Sequence, residues 1–275
     1  MTPGISGLIT WIVILVTAAV SYQGFKSHFF IEKYEFSVEK IRLYRDYKRL
    51  ITSGFLHVNW MHLIFNMLGV LFFTGTLSYL VGPVGFLLIY FASMLGGNLI
   101  SLLLYKNQSD YTSVGASGAV NGAIFATIAL EPSIRIMFLP GWLFGLIYIA
   151  ITIYGVRSKR DNIGHDAHLG GAMVGMLVAI ALQPAALVEN WLTILVITVP
   201  TLIFMYLIVT RPHILLIDNL FFNTHKNHYS VDHKYNESKF NQQQEIDRIL
   251  DKINKRGMNS LSQKEKQMLK EYSKK

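Results

Sequence analysis

The chain has 275 residues, a formal net charge of +8, 52% apolar residues and no cysteine. The apolar content, with a mean hydropathy of +0.36, excludes an ordinary soluble domain, and the lack of cysteine excludes disulfides, thiolate chemistry and a cysteine-ligated metal. The positive charge comes without an RNA- or DNA-binding motif, which argues against a nucleic-acid partner and favours anionic lipid headgroups.

Apolar runs of about 20 residues, the length of a membrane-spanning helix, predict an all-α polytopic membrane helix bundle. The seven predicted helices are residues 4–23, 56–79, 82–105, 115–131, 134–155, 166–184 and 190–210. The first run has no basic residue before it and is too long for the apolar part of a signal peptide, so it is kept as a helix. The fourth run is short, and a helix that ends part-way into the membrane leaves room for a water-filled cavity.

A loop of aromatic and polar residues, 24–55, joins the first two predicted helices. Because aromatic side chains concentrate at headgroup depth, we expect this loop to lie in the plane of the membrane surface. Anionic lipid headgroups are the expected partners of the basic residues that precede the second helix. These residues are Lys40, Arg42, Arg45, Lys48 and Arg49.

The composition changes at the end of the last apolar run. Three parts are predicted: a membrane-embedded core in residues 1–211, an amphipathic stretch and polar linker in 212–243, and a small basic helical hairpin in 244–275. Within the hairpin, Gly257 is a candidate helix C′ residue, and Ser262 with Glu265 has the spacing of a capping box. With few apolar residues the hairpin would be marginal alone, so we expect it to dock on a partner that the sequence does not identify.

A lone serine between small residues opens the fourth predicted helix, in Gly115-Ala116-Ser117-Gly118. A polar side chain in hydrocarbon costs free energy unless it is buried in a bundle or faces water, which makes this serine a candidate site residue. Gly118 and Gly122 share one helical face, a spacing that lets a second helix approach closely. Taken alone, the pattern is more often helix packing than catalysis.

The sixth predicted helix has a matching pattern, in which His168 is followed by Gly171 and Gly175. Contact between the two glycine faces would bring the Ser117 hydroxyl within hydrogen-bond reach of a His168 ring nitrogen, as a general base requires. The two helices therefore predict a Ser–His dyad. Asp166 is not expected to complete a triad, because two residues before His168 it points in another direction.

The second predicted helix carries His62 and Asn66, which lie four residues apart on one face. An imidazole N–H and an amide N–H that point the same way can donate to an oxyanion, a contribution of about 3 kcal/mol per donor. Alternatively, both side chains only tie helices together by hydrogen bonds. His57 points elsewhere and is predicted to brace the loop through backbone contacts.

Three separated motifs thus occur in one chain: His57-x4-His62-x3-Asn66, Gly115-x-Ser117-Gly118 and Ala167-His168-x2-Gly171-x3-Gly175. In content and order they resemble the motifs of the rhomboid family of intramembrane serine proteases, and the likeness covers residues 40–184. The resemblance implies a six-helix core, here with one extra helix, and a first loop that lies on the membrane. It also implies cleavage of transmembrane protein substrates within or beside their membrane spans, and we expect a multi-pass protein of the cell membrane.

The resemblance also implies roles for single residues. Ser117 would be the nucleophile and His168 the general base, and His62, Asn66 and the Ser117 backbone N–H would form the oxyanion hole. Supporting positions are Gly115, Gly118, Asn121, Gly171, Gly175 and His57. No cofactor is implied. A metal site at His165, Asp166, His168 and His62 is not expected, because the His-Glu-x-x-His pattern of zinc proteases is missing.

The chain departs from the family pattern in three places. Many members have an aromatic residue four positions after the serine, stacked on the catalytic histidine, whereas this chain has Asn121, whose amide can hydrogen-bond to His168 instead. The tryptophan–arginine pair of the first loop appears as Lys48-Arg49. The seventh helix and the polar tail extend beyond the core and leave a regulatory or docking role open.

The membrane orientation receives conflicting indications. Basic residues concentrate in the loops on the cavity side, which by the charge rule would face the cytoplasm, whereas the resemblance implies a cavity that opens away from it. We follow the resemblance, because charges that lie along headgroups need not report loop orientation. A spanning seventh helix then leaves the tail outside.

Two other functions are compatible with a membrane bundle of this kind. One is a catalytically silent relative that binds or retains membrane clients, and the presence of both Ser117 and His168 argues against it. The other is a transporter, for which the lack of intramembrane carboxylates argues against proton or cation coupling.

Overall fold

The computed structural model describes residues 4–158 and 164–210, and in the C-terminal part residues 246, 248–250, 252–253, 258 and 261–272. The chain divides into two compact units, Met1–Lys226 and Asn227–Lys275, and this boundary falls within the predicted linker. The predicted all-α helical bundle is confirmed in the first unit, where the described strands are two residues long and form two antiparallel pairs.

The elements of the first unit are, in chain order, α1 (Ile5–Lys26), α2 (His28–Tyr34), β1 (Phe36–Ser37), α3 (Val38–Tyr44), α4 (Arg49–Thr52), a 3₁₀ turn (Ser53–Phe55), α5 (Trp60–Leu104), β2 (Thr112–Ser113), α6 (Ser117–Leu130), β3 (Arg135–Ile136), β4 (Leu139–Pro140), α7 (Gly141–Ser158), α8 (His165–Leu182), α9 (Ala186–Glu189) and α10 (Trp191–Thr210). Strand β1 pairs with β2, and β3 pairs with β4. Among the described elements, α1 and α5 are long and apolar enough to cross a membrane, and α6, α7, α8 and α10 contain shorter apolar stretches.

The second and third predicted helices form α5, which is interrupted at Gly82 (φ 77°, ψ 164°) immediately before Pro83. After this break the helix runs back toward the residues that precede α5. Near its end, the Asn98 side chain donates to the Leu50 carbonyl at 2.8 Å. The two halves of α5 are therefore antiparallel. The first half starts later than predicted, because Asn59 caps it by accepting from the His62 N–H at 2.8 Å.

The fifth predicted helix starts too early. Its first residues instead form the β3–β4 hairpin, which turns at Met137 with a positive φ of 58°, and α7 begins only at Gly141. A helix cannot run through such a turn, and the apolar residues of the hairpin made the run look continuous in sequence.

The first loop is built around a buried arginine. Arg49 is 5% exposed, and its guanidinium donates to the carbonyls of Glu32 and Glu35 at 2.8 Å and to Asp46 at 2.9 Å. The expectation that Arg49 contacts lipid headgroups is therefore wrong, because its side chain turns into the loop. Arg45 is exposed, as the same expectation requires.

Helix α6 lies at the centre of the bundle. Some of its residues belong to an apolar cluster with residues of α1 and α5. Others belong to a second apolar cluster with residues of α7, α8 and α10. Its last carbonyls, of Ala129 and Leu130, accept hydrogen bonds from the Asn190 side chain at 3.0 Å. A helix enclosed in this way holds its first residue, Ser117, in a fixed position.

The C-terminal unit contains a capped helix, α11 (Gln263–Tyr272). The predicted capping box is confirmed: the Ser262 N–H donates to Glu265 at 2.7 Å, and the Glu265 N–H donates to Ser262 at 3.3 Å. Ile246 and Ile249 are buried, in agreement with the helical spacing of the first part of the hairpin. Gly257 and the predicted linker, residues 212–243, lie outside the described residues.

Candidate active site

Ser117 is the first residue of α6 and is half-buried. The turn before it needs Gly115, whose φ of +141° is strained for any residue with a Cβ. Two hydrogen bonds hold this turn, from the Gly115 N–H to the Ser53 carbonyl at 3.0 Å and from the Ala116 N–H to His57 Nε2 at 3.3 Å. The Ser117 N–H belongs to the first turn of a helix, where backbone donors have no intrahelical acceptor and the helix dipole favours negative charge.

Helix α6 is shorter than a hydrocarbon core is thick. A helix of 14 residues rises about 21 Å, which is less than the roughly 30 Å of a hydrocarbon core. Glu131, at the C-terminal end of α6, is exposed. A helix of this length does not reach from one surface of the hydrocarbon core to the other.

His62 borders the Ser117 hydroxyl. A Cβ built on Gly115 would lie 2.8 Å from His62 Cε1, 3.0 Å from His62 Nε2 and 3.7 Å from Ser117 Oγ. The imidazole edge and the hydroxyl thus face one small volume next to the Gly115 Cα. Only a glycine leaves this volume open.

Asn66 lies one turn further along α5, on the same face as His62, and is 6% exposed. One N–H of its amide donates to the His62 carbonyl at 2.9 Å, which fixes the side chain against the helix. The amide nitrogen carries a second hydrogen, the donor that an oxyanion would use.

His57 is fully buried and braces the Ser117 turn. Its Nε2 accepts from the Ala116 N–H, and its Nδ1 lies 2.9 Å from the hydroxyl of Ser21, which donates to the Phe55 carbonyl. The predicted contact between His57 and the loop backbone is confirmed. Sequence reasoning missed Ser21, although a serine inside the apolar run of α1 was an available signal.

The environment of His57 predicts a pH dependence of stability. His57 lies before α5, outside the spanning helix, and burial, assisted by His62, lowers its pKa from 6.5 to about 3. Because the unfolded chain binds this proton and the folded chain does not, the stabilisation is present above about pH 6.5 and is lost as the pH falls from there toward 3. When the pH is lowered from 7 to 4.5 in detergent, we expect the thermal midpoint of unfolding to decrease. The decrease should be larger for the wild type than for His57→Gln. Equal falls in the two proteins would contradict this assignment.

Helices α6 and α8 touch through their glycines. A Cβ on Gly171 would overlap the Gly118 carbonyl, and a Cβ on Gly175 would overlap the Gly122 carbonyl. The close approach predicted from the glycine spacing is therefore confirmed. At the upper end of this contact, the Ala167 carbonyl is 3.4 Å from the Cβ position of Gly118. His168 directly follows Ala167, and Ser117 directly precedes Gly118, so both residues adjoin this contact in the first turns of their helices.

The aromatic partner of His168 comes from an unexpected helix. Asn121 donates its amide N–H to the Ser117 carbonyl at 2.8 Å, within its own helix, rather than directing it to His168. On α7, the Tyr148 hydroxyl lies 3.3 Å from His168 Nδ1. Sequence reasoning missed Tyr148, because it is one aromatic residue within an apolar run and carries no local signal.

Asp166 faces α5. It is 3% exposed, and its carboxylate accepts from the hydroxyl of Ser101 and lies 3.4 Å from the hydroxyl of Tyr105. These contacts agree with the prediction that Asp166 points away from the dyad.

Among the described residues, no three histidine, aspartate or glutamate side chains are grouped so as to hold a metal ion.

Comparison with known proteins adds two family matches. A family model described as the rhomboid domain matches residues 44–185, and a family of unknown function, DUF6576, matches residues 229–275. The site residues of α5, α6 and α8 all lie within the first match, and α11 lies within the second.

Several curated proteins are similar to the chain. RHOMBOID-like protein 12, mitochondrial, of Arabidopsis thaliana is 29% identical over 58% of this chain and 53% of its own length. Rhomboid protease GluP of Bacillus subtilis (strain 168) is 34% identical over 50% of this chain and 26% of its own. Rhomboid protein 1, mitochondrial, of Saccharomyces cerevisiae is 30% identical over 54% of this chain and 45% of its own. The chain thus spans about half or less of the length of these relatives.

Proposed function

Because the chain belongs to the rhomboid family, we propose that it is an intramembrane serine endopeptidase that cleaves membrane-anchored proteins with a Ser117–His168 dyad. The observation that supports the proposal is the glycine contact of α6 with α8, where Gly118, next to Ser117, lies close to Ala167, next to His168. The His62 edge beside Ser117 supports an acyl-transfer site there. One of the similar proteins is itself named a protease.

The proposed reaction begins with attack of Ser117 Oγ on the carbonyl carbon of the scissile peptide, while His168 Nε2 takes the hydroxyl proton. The carbonyl π electrons move to oxygen. Donors placed around that oxyanion are the Ser117 backbone N–H, the His62 ring and the Asn66 amide, each contributing about 3 kcal/mol in such sites.

The intermediate then collapses. The carbon–nitrogen bond breaks, and His168 returns the proton to the leaving amine, which gives an acyl-enzyme on Ser117. Water attacks the ester while His168 takes one of its protons. The ester bond then breaks as His168 returns that proton to Ser117 Oγ, which releases a carboxylic acid and restores the serine. Water must therefore reach a site below the membrane surface, and the short α6 leaves room for it.

Rhomboid proteins are membrane-embedded, and we assign this chain to the cell membrane as a multi-pass protein with its site opening away from the cytoplasm. Two of the basic residues that count against this orientation have partners within the protein. Arg49 is buried inside the first loop, and Arg42 donates to the Lys106 carbonyl, so both cations serve the fold. Added protease should then digest the tail in intact cells; a protected tail would contradict the orientation or the spanning of α10.

Cleavage of a panel of single-span membrane proteins in proteoliposomes tests the proposed activity. Full-length wild type is expected to cut at least one of them within or near its membrane segment, and Ser117→Ala is expected to cut none. Equal cleavage by the two proteins would assign the activity to a contaminant. A wild type that binds a panel member but leaves it intact would favour the silent, client-binding alternative.

A further inference from the structure

Tyr148 connects the three helices around the proposed dyad. Its hydroxyl oxygen is 3.3 Å from Nδ1 of His168 on α8. The ring packs edge-on to Phe125 of α6, with centroids 5.6 Å apart, and stacks on Phe144 of α7 at 6.0 Å. Because a tyrosine side chain has only two rotatable bonds, these contacts determine where its hydroxyl lies.

The Tyr148 hydroxyl lies next to Nδ1 of His168, the ring nitrogen that must carry the hydrogen if His168 is a general base. A neutral imidazole has one nitrogen that donates and one that accepts, and the partner of each determines which carries the hydrogen. To take a proton from Ser117, the Nε2 atom of His168 must be unprotonated. The hydrogen of the neutral ring is then on Nδ1, and this N–H needs a hydrogen-bond acceptor. In Ser-His-Asp triads that acceptor is a carboxylate.

The carboxylate nearest in sequence is directed elsewhere. Asp166 accepts from Ser101 and lies beside the Tyr105 hydroxyl, and both partners belong to α5. The Asn121 amide donates to the Ser117 carbonyl. The phenolic oxygen of Tyr148 has two lone pairs and lies 3.3 Å from Nδ1, within reach of such a hydrogen bond.

We propose that Tyr148 is the positioning residue of the dyad: its hydroxyl accepts the Nδ1–H of His168 and so directs Nε2 to Ser117. The inference rests on the proposed function, since it assigns a partner to the proposed base. The accepted hydrogen bond is stronger when the imidazole is protonated, because charge-assisted hydrogen bonds are the stronger class. Tyr148 therefore stabilises the imidazolium that forms during attack, without touching the substrate.

Tyr148→Phe tests this role, because phenylalanine keeps the ring and its two aromatic contacts and removes only the hydroxyl. The measurement is the second-order rate of covalent labelling of the full-length protein in detergent by a fluorophosphonate, followed from pH 5 to 9. We expect the plateau rate to fall about five- to tenfold, the size of one lost hydrogen bond. The midpoint of the acidic limb should move to lower pH, because the imidazolium loses an acceptor and releases its proton more readily.

A matched control is Tyr154→Phe, which removes a hydroxyl from the same helix at a position that is 56% exposed. Its rate and pH midpoint are expected to equal those of the wild type. The titratable residues His62 and Tyr105, at the two ends of α5, and His165 and Asp166, in the first turn of α8, are unchanged in both variants. A shift confined to Tyr148→Phe therefore reports the Tyr148 hydroxyl.

The outcomes separate this inference from the proposed function. A Tyr148→Phe rate equal to the wild type, or a slower rate with an unmoved pH midpoint, would overturn the positioning role while leaving the dyad intact. A wild type that the probe does not label at Ser117 would instead overturn the proposed function. Should the phenylalanine variant fail to fold, 3-fluorotyrosine at position 148 keeps the shape but weakens the acceptor, and the midpoint must again move to lower pH.

Discussion

Ser117→Ala is expected to abolish covalent labelling of the full-length protein by a fluorophosphonate, and His168→Ala is expected to slow it by about six orders of magnitude. The first variant removes the attacking oxygen. The second leaves a hydroxyl without a base, and removal of either member of a nucleophile–base pair has effects of this size. The measurement is the stoichiometry and rate of labelling, with the modified residue located by mass spectrometry.

Ser93→Ala is the matched control for this experiment. Ser93 is also a buried serine at the contact of α5 with α6, and among the described residues its hydroxyl has no hydrogen-bond partner. Labelling should proceed in this variant at the wild-type rate. Labelling that survives in both Ser117→Ala and His168→Ala would eliminate the dyad.

Gly171→Ala is expected to lower the labelling rate about 100-fold and to reduce the thermal midpoint. The added Cβ would overlap the Gly118 carbonyl and lie 2.9 Å from the Gly118 Cα, and backbone atoms cannot turn aside as a side chain can. Helices α6 and α8 must then separate, and overpacking of this kind costs about 1–3 kcal/mol. A misplacement of about 1 Å between reacting groups is enough for a 100-fold loss of rate.

Gly75→Ala provides the control for the glycine substitution. Gly75 lies in α5, and a Cβ added there meets no atom within 4 Å. Because alanine favours a helix over glycine by about 1 kcal/mol, this variant should be as stable as the wild type or more so, with unchanged labelling. A Gly171→Ala protein that labels at the wild-type rate would show that the glycine contact does not set the geometry of the site.

Several features of the site were predictable because their signals are local or repeat at helical spacing. Gly118 and Gly122, matched by Gly171 and Gly175, predicted a close helix pair, and the structure contains that contact. The capping box in the tail follows from two residues three positions apart. Such signals need no knowledge of how distant segments meet.

Other features depended on contacts between segments far apart in sequence. Arg49 resembled its basic neighbours in sequence, yet it is buried, and it donates to the carbonyls of Glu32 and Glu35 at the C-terminal end of α2. The Tyr148 hydroxyl reaches His168 across twenty residues and a change of helix. Nothing in either local pattern distinguishes these side chains from their neighbours.

The amino-acid sequence alone determined the class of the protein, its apolar helices and the chemistry of its candidate residues, because hydropathy and helical spacing are properties of the chain itself. Only the tertiary structure decided which hydroxyl lies beside Nδ1 of His168 and which arginine is internal. It also decided that β3 and β4 precede α7. The physical reason is that a hydrogen-bond partner is fixed by the relative position of whole helices, which arises from packing summed over the bundle.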